Sequence, residues 1–232
     1  MAIGVKRSSG GHGGGGGEGD NVFWTTMSDL MLGLAIIFMT LFTLAMTGFS
    51  QNSVQQKQEQ IKASEELIEK LEKENIEAQV DKMTGDIKIS DLELFELNSW
   101  NLSPRGKQYL DKLIPIYVNT IFTKPELLDG IENIVIQGHT DSQSYVGLST
   151  KDEQFAKNME LSLKRANSVA EYMFKTGYDK AHGEKLRKML VVEGKSFNDP
   201  VIVNGVEDYA KSRRVELKVK VKRWDIASAF GF

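Results

Sequence analysis

The chain has 232 residues and no cysteine, which excludes structural disulfides, cysteine-ligated zinc and a cysteine-linked lipid anchor. Its 29 basic and 32 acidic residues leave a formal net charge of −3, so nothing indicates direct binding of nucleic acid. Once an apolar stretch and a glycine-rich tail are set aside, there is room for one soluble domain of ordinary size.

Residues 1–21 carry Lys6 and Arg7 and then a run of five glycines, Gly13–Gly17. The run lacks a preceding strand and a following Lys-Ser/Thr pair, so it is not a phosphate loop and reads as a disordered tail.

Residues 22–49 are predicted to cross a membrane. From Leu30 to Phe49 there are 20 residues without a charge, and at about 1.5 Å per residue these cover a bilayer core of roughly 30 Å. The block is too long for a signal-peptide core and no small-residue cleavage site follows, so it reads as an uncleaved anchor. Asp29 is its one ionisable residue. On a helix, Thr25, Gly33, Ile36, Thr40, Thr43 and Thr47 share the face of Asp29, while Leu34, Phe38, Leu41, Phe42 and Ala45 lie opposite. In lipid, small and hydroxylated residues mark the face where helices pack, so partners are expected to cover Asp29 or line a water path to it. Two roles are open for this carboxylate. It can sit at the headgroups beside Phe23 and Trp24, or take up and release an ion within the membrane, where acids are costly and usually functional. Lys6 and Arg7 before the span are matched by Lys57 and Lys62 after it, so charge does not orient it.

Residues 50–84 are polar, and the stretch 51–80 contains no Pro or Gly. Val54, Ile61, Ile68 and Asn75 recur every seven residues, with Ser64, Leu71 and Ala78 interleaved. The pattern predicts a helical stalk, either a weak paired coiled coil or a single solvated helix.

Residues 85–223 are predicted to form an α/β domain with a mixed sheet, followed by a tail at 224–232. Residues 87–90 alternate as a strand, and Leu92–Phe95 follows. Ser103 and Pro104 cap and open a helix whose Leu110, Leu113, Ile114 and Tyr117 face a core. A strand over 131–138 leads to His139-Thr-Asp141 and a loop to about residue 157. A helix over 158–176 closes at Gly177. A short helix at 185–190, a strand at 190–193, a loop over 195–211 and a strand at 215–221 complete the pattern.

Gln137-Gly-His-Thr-Asp141, the segment Asn158-Met-Glu-Leu-Ser-Leu-Lys-Arg165 and Ser212-Arg-Arg-Val-Glu216 occur in the order of an OmpA-like peptidoglycan-binding domain, which the chain resembles over about residues 85–223. With one membrane helix and an early Asp before it, the layout resembles the B subunits of flagellar-motor-type stators. Ser28-Asp-Leu-Met-Leu-Gly-Leu-Ala35 looks closest to the B subunits of Zorya anti-phage systems.

The resemblance implies that Asp141 meets the ammonium, and Arg165 the carboxylate, of the diaminopimelate unit in the peptidoglycan stem. Asn158 adds hydrogen bonds and Leu161 shapes the helix start. Of Arg213 and Arg214, alternation places one in the site and one in solvent, without saying which. Two departures stand out: the loop over Ser142–Gly147 is longer than the family's, and Ser212 replaces the Asn of its Asn-Arg-Arg motif. The resemblance also implies a homodimer within a ring of a multi-spanning A subunit, driven by an ion passing Asp29. A proton needs only one carboxylate, while Thr40 and Thr43 keep sodium open. The amino terminus would lie in the cytoplasm, the helix in the inner membrane and the domain in the periplasm. A flagellar-type B subunit and a passive membrane-to-wall anchor are the alternatives. No cofactor is expected; His139 reads as structural, and His12 and His182 are isolated. No nucleophile–base set or metallohydrolase motif is visible, so the chain is not read as an enzyme.

Overall fold

The computed structural model describes residues 18–96, 99–145, 147–148 and 150–222. Of the expected tail at 1–21, residues 1–17 lie outside these and residues 18–21 are instead the first of a helix; the tail at 224–232 and the side chain of Thr47 also lie outside. The chain divides into two compact units, residues 1–53 and 54–232.

Helix α1, Glu18–Lys73, belongs to both units. In the first unit its 25-residue stretch Val22–Met46 is long and apolar enough to cross a membrane. The hydroxyls of Thr26, Thr40 and Thr43 bond back to their own helix. Thr40 donates to the Ile37 carbonyl at 2.8 Å and Thr43 to that of Met39 at 2.9 Å. This is how a hydroxyl is satisfied in an apolar helix without breaking it. On the opposite face Phe38 and Phe42 stack at 6.3 Å.

The second unit begins with the carboxyl-terminal part of α1, and here the expected free stalk is corrected. Ala63, Leu67 and Leu71 recur every fourth residue and are buried in the domain core. Gln60 donates to the Thr84 carbonyl at 2.9 Å, and Glu66 pairs with Lys124 at 2.6 Å. The heptad through Ile61 and Ile68 is only half-buried, because the core-facing stripe follows the 3.6-residue period. Asn75 is not a coiled-coil position. It takes a left-handed φ of 53°, its N–H donates to Glu72 at 3.0 Å, and the N–H of Ile76 donates to Leu71 at 2.9 Å. That pair of bonds is a Schellman cap, completed by the buried side chains of Leu71 and Ile76. The helix therefore stops at Lys73, and β1, Gln79–Val80, already belongs to the sheet.

β2, Ile87–Ser90, follows, then a single helical turn α2, Asp91–Leu94, where an extended run was expected. Helix α3, Pro104–Phe122, starts as predicted, with Ser103 Oγ accepting from the N–H of Gly106 and Leu110, Leu113, Ile114 and Tyr117 fully buried. The short helix α4, Pro125–Gly130, leads into the central strand β3, Ile131–His139. Helix α5 spans Lys151–Met173. It begins seven residues before the predicted start because Thr150 and Glu153 form a reciprocal capping box. It ends before Gly177, whose φ is not positive. Helix α6, Gly183–Met189, and strand β4, Leu190–Gly194, match expectation. The predicted loop at 195–211 instead holds a hairpin, β5 Ile202–Val203 and β6 Val206–Glu207, and the turn α7, Tyr209–Ser212. The hairpin turn is Asn204-Gly205, both at positive φ, the sequence favoured where strands reverse in two residues. β7, Arg214–Val221, completes a mixed sheet in the order β1-β2-β7-β3-β4, with β3 and β4 parallel and the other pairs antiparallel.

Helix α5 lies on β3 and β4 at very short range. A Cβ at Gly138 would stand 2.0 Å from the Ser162 carbonyl oxygen, and one at Gly194 would stand 2.8 Å from Ser162 Oγ. Only glycine lets the ends of both strands meet the helix there.

A buried polar network closes the start of β7. Arg214 donates through Nε to Glu216 at 2.5 Å, through Nη2 to Asp199 at 2.9 Å, and through Nη1 to the carbonyls of Asp199 and Ser212. Lys218 pairs with Glu216 at 2.6 Å. His139 stands 3.7 Å from the Glu216 carboxylate and 3.8 Å from that of Asp199. Burial first, and the Arg214 charge second, lower the His139 pKa to about 4. Burial alone would raise Glu216, but hydrogen bonds from Lys218 and Arg214 hold it at about 2.

Two outcomes follow for stability. If the carboxyl-terminal part of α1 is core, Leu71→Ala should cost roughly 2–5 kcal/mol, read by denaturant unfolding of the full chain; a loss near zero would mean a free stalk. His139 has a folded pKa below its unfolded 6.5, so its contribution is complete above pH 6.5 and is lost as pH falls toward 4. Stability should fall by up to about 1.4 kcal/mol per pH unit across that window. His139→Gln, melted beside wild type at pH 7.5, 6 and 5, should flatten that slope. Glu216 adds its own loss only below pH 4.5.

Candidate functional site

The carboxyl end of β3, the start of α5, the turn α2 and the residue before β7 converge on a cleft of about 650 Å³. Asp141 lies two residues beyond β3, in a segment held to the β4 end by Thr140 N–H donating to the Ser196 carbonyl at 2.9 Å. Its Oδ1 accepts from the N–H of Gln143 at 3.3 Å. Asn158, Leu161 and Arg165 follow along one face of α5 and all line the cleft. Asn158 is buried and donates through Nδ2 to the Gln154 carbonyl at 3.0 Å. Leu161 is half-buried, an apolar wall.

Arg165 is 4% exposed. Its Nε donates to the Ser99 carbonyl at 3.1 Å, Nη1 lies 3.2 Å from Asp91 Oδ2, and the guanidinium stands over the Phe95 ring at 5.2 Å. Arg213 bonds through Nη1 to Asp141 Oδ2, and its Nε lies 3.5 Å from Asp91 Oδ2. The structure thus separates the two arginines: Arg213 faces the cleft. Arg214, expected as the other candidate, lies neither in the cleft nor in solvent. It is buried in the His139–Glu216 network, because consecutive strand residues point to opposite faces.

Asp91 is the residue that the sequence reading passed over. It was legible as the next inward position after Ile87 and Ile89 in a period of two, an acid where an apolar side chain was due. Its pKa is raised by burial, against the opposing pull of Arg165 and Arg213. Burial likewise lowers Arg165, with Asp91 opposing. The rim carries Trp100, with Lys164 Nζ 4.2 Å from its ring centre, and Tyr145. The long loop that departs from the family pattern is tied down by Gln154, which accepts from the N–H of Tyr145 at 2.7 Å and donates to the carbonyls of Tyr145 and Leu148.

The cleft therefore presents two guanidinium groups and two carboxylates at fixed positions in a desolvated wall. Such a site grips a ligand carrying both signs of charge a few ångströms apart. Away from it, one ligand atom each of His139, Asp199 and Glu216 come within 4.8 Å of one another. Arg214 and Lys218 already neutralise those carboxylates, so a metal cation would face a guanidinium there.

A sequence model of the OmpA family matches residues 94–214. The Zorya protein ZorB of Escherichia coli is 29% identical over 211 residues, covering 86% of this chain and 88% of that protein. A ZorB from another Escherichia coli strain is 22% identical over 216 residues, covering 88% of this chain and 82% of that protein. The crystal structure of a MotB-like protein from Desulfovibrio vulgaris superposes with a TM-score of 0.50 at 20% identity, over 74% of this chain and 97% of that one, and shares the fold. With the matched span covering more than half of its sequence, the chain belongs to the OmpA family.

Proposed function

We propose that the chain is the peptidoglycan-anchored B subunit of an ion-driven motor complex of the bacterial inner membrane, serving anti-phage defence. One observation carries this reading: a charge-balanced cleft at Asp91, Asp141, Arg165 and Arg213 occurs in the same chain as a membrane-length helix bearing Asp29. Similarity to ZorB proteins supports the defence setting.

In this reading the cleft holds the diaminopimelate unit of the stem. Its carboxylate replaces part of the Asp91 pairing at Arg165, and its ammonium takes the free lone pairs of Asp141. Asn158 and Leu161 fix the ligand's backbone and methylene chain. The helix from Val22 crosses the inner membrane with its amino terminus in the cytoplasm, and the domain over 85–223 lies in the periplasm. Two chains bring two Asp29 carboxylates into a ring of a multi-spanning A subunit. Proton uptake and release at Asp29 turns that ring around the wall-held pair. A lone carboxylate suffices for a proton, whereas sodium wants several oxygen ligands.

Two experiments test this. Asp29→Asn should abolish phage protection with expression unchanged; protection at the wild-type level would leave only a passive anchor. Asp141→Ala/Arg165→Ala should lower capture by purified peptidoglycan by more than about tenfold, since each substitution removes a charge-assisted contact to the ligand. Undiminished capture would remove the cleft as the wall-binding site.

A further inference from the structure

Strand β7 starts at the cleft and finishes at the other end of the domain, where the chain enters from the apolar span. Gln60 of α1, Thr84 and Gly85 of the β1–β2 turn, Leu127 of α4 and Val219 of β7 line one crevice there. Beside it Val221 pairs with Ile131, and the N–H of Lys222 donates to the Gly130 carbonyl at 2.8 Å. The register that pairs Ile87 with Leu217, carried on, sets Gly85 beside Val219 and Met83 beside Val221. Met83 is 52% exposed and Val221 40%. This end of the domain is therefore apolar, and no described residue covers it.

The ten residues that follow, Arg223-Trp-Asp-Ile-Ala-Ser-Ala-Phe-Gly-Phe232, carry three aromatic side chains and Ile226 against one acid, Asp225. Lys222 and Arg223 stand directly before Trp224, with Lys220 two residues earlier. Cations beside Trp and Phe are the composition of a segment that lies in the headgroup layer of a bilayer. The adjoining surface offers these rings no seat. The crevice has about 20 Å³, room for one water-sized group, whereas a buried indole removes on the order of 200 Å² from water. Chain length supplies the alternative. From Met46, where the span ends, to Gln60 is fourteen residues, about 21 Å as helix. Ten residues extended cover roughly 33 Å. The tail is thus long enough to return to the surface that the span leaves.

We infer that residues 223–232 are a membrane-surface anchor. Trp224, Phe230 and Phe232 enter the headgroup layer of the bilayer that α1 crosses, Lys222 and Arg223 meet its phosphates, and Met83 and Val221 face the same layer. The inference rests on the membrane reading of Val22–Met46 and goes beyond wall binding. Cleft and tail lie at opposite ends of β7, so the domain holds lipid at one end and the wall at the other.

The test reads Trp224 alone, in the full chain in liposomes, after Trp24→Phe/Trp100→Phe removes the other two tryptophans. Phospholipid brominated at the headgroup end of its acyl chains should remove most of the Trp224 emission, and aqueous iodide little of it. Quenching by iodide but not by brominated lipid would put the tail in water and overturn the inference. Quenching by neither would bury Trp224 against protein, which overturns it equally. The membrane reading is checked apart: Trp100→Phe/Trp224→Phe leaves Trp24, and no lipid quenching there means that the span itself is outside the bilayer. Should the double variants fold poorly, wild type is compared with Trp224→Phe, and an unchanged lipid-quenched emission overturns the assignment. Because the chain has no cysteine, a spin label at Met83→Cys gives a second readout. Its contact with lipid-dissolved oxygen should fall when Trp224→Ser/Phe230→Ser/Phe232→Ser removes the rings, and no change removes Met83 from the anchored face.

Discussion

The cleft depends on how closely α5 approaches the ends of β3 and β4. The backbone of Ser162 lies where a side chain on Gly138 would have to be, Ser162 Oγ and the backbone nitrogen of Leu163 crowd the same place on Gly194, and Ser162 Oγ accepts from the N–H of Ser196 at 3.1 Å. These contacts lock one helix turn to two parallel strands. Asn158 lies one turn before that point and Arg165 about one turn after it, so both are fixed relative to Asp141 at the end of β3. A methyl group at either glycine would push the helix outward and widen the gap between Arg165 and Asp141. Packed interiors transmit such a displacement because they have no free volume to absorb it. The selection of glycine here is thus a constraint on the geometry of charge.

Holding that charge works against stability. Desolvating a carboxylate or guanidinium costs several kcal/mol, and a buried pair recovers this only with good geometry and further hydrogen bonds. The domain meets the condition unevenly. The network at Arg214 fills the guanidinium with four hydrogen bonds and holds Glu216 between two cations. The cleft network does less: Asp91 keeps a bare oxygen, and Arg165 uses one backbone carbonyl and one carboxylate. Two similar sets of charges lie on opposite faces of one strand start. The set at Arg214 is closed into the core, with both ring nitrogens of His139 left without hydrogen-bond partners, and the set at Asp91 lines the cleft.

Much of this was legible in the sequence. Strand alternation and the Ser-Pro helix start located β2, α3, β3 and β7 within a residue or so, and the three family blocks placed Asp141, Asn158, Leu161 and Arg165 around one cleft. The misses have local causes. The capping box at Thr150 and Glu153 moved the start of α5 into what read as loop. Asn75 fitted a heptad by number, but a left-handed cap is a backbone property that heptad counting does not register. Two of three apolar residues that dock α1 on the core, Ala63 and Leu67, fall outside the seven-residue repeat. The choice between Arg213 and Arg214 needed the strand's phase at its first residue, which alternation alone leaves undetermined. Asp91 was legible only by carrying the strand alternation one step past Ser90, where an acid reads first as a strand end.

The same physics separates the buried acids of the domain from Asp29. Among the described residues of the second unit, each buried carboxylate has a cation from its own chain: Asp91 and Asp141 share Arg213, and Glu216 has Arg214 and Lys218. Between Val22 and Phe49, no Lys, Arg or His accompanies Asp29. Thr26, Thr40 and Thr43 spend their hydroxyls on their own backbone, and a hydroxyl carries no compensating charge. A carboxylate at membrane depth with no cation in its own segment is costly to insert unless water or a group on another chain reaches it. A passive span has no use for such a residue, since Leu or Ala at that position would insert at lower cost. In the proposed function the residue is the group that carries the ion, and the small, hydroxylated face is where a partner approaches closely enough to control its passage.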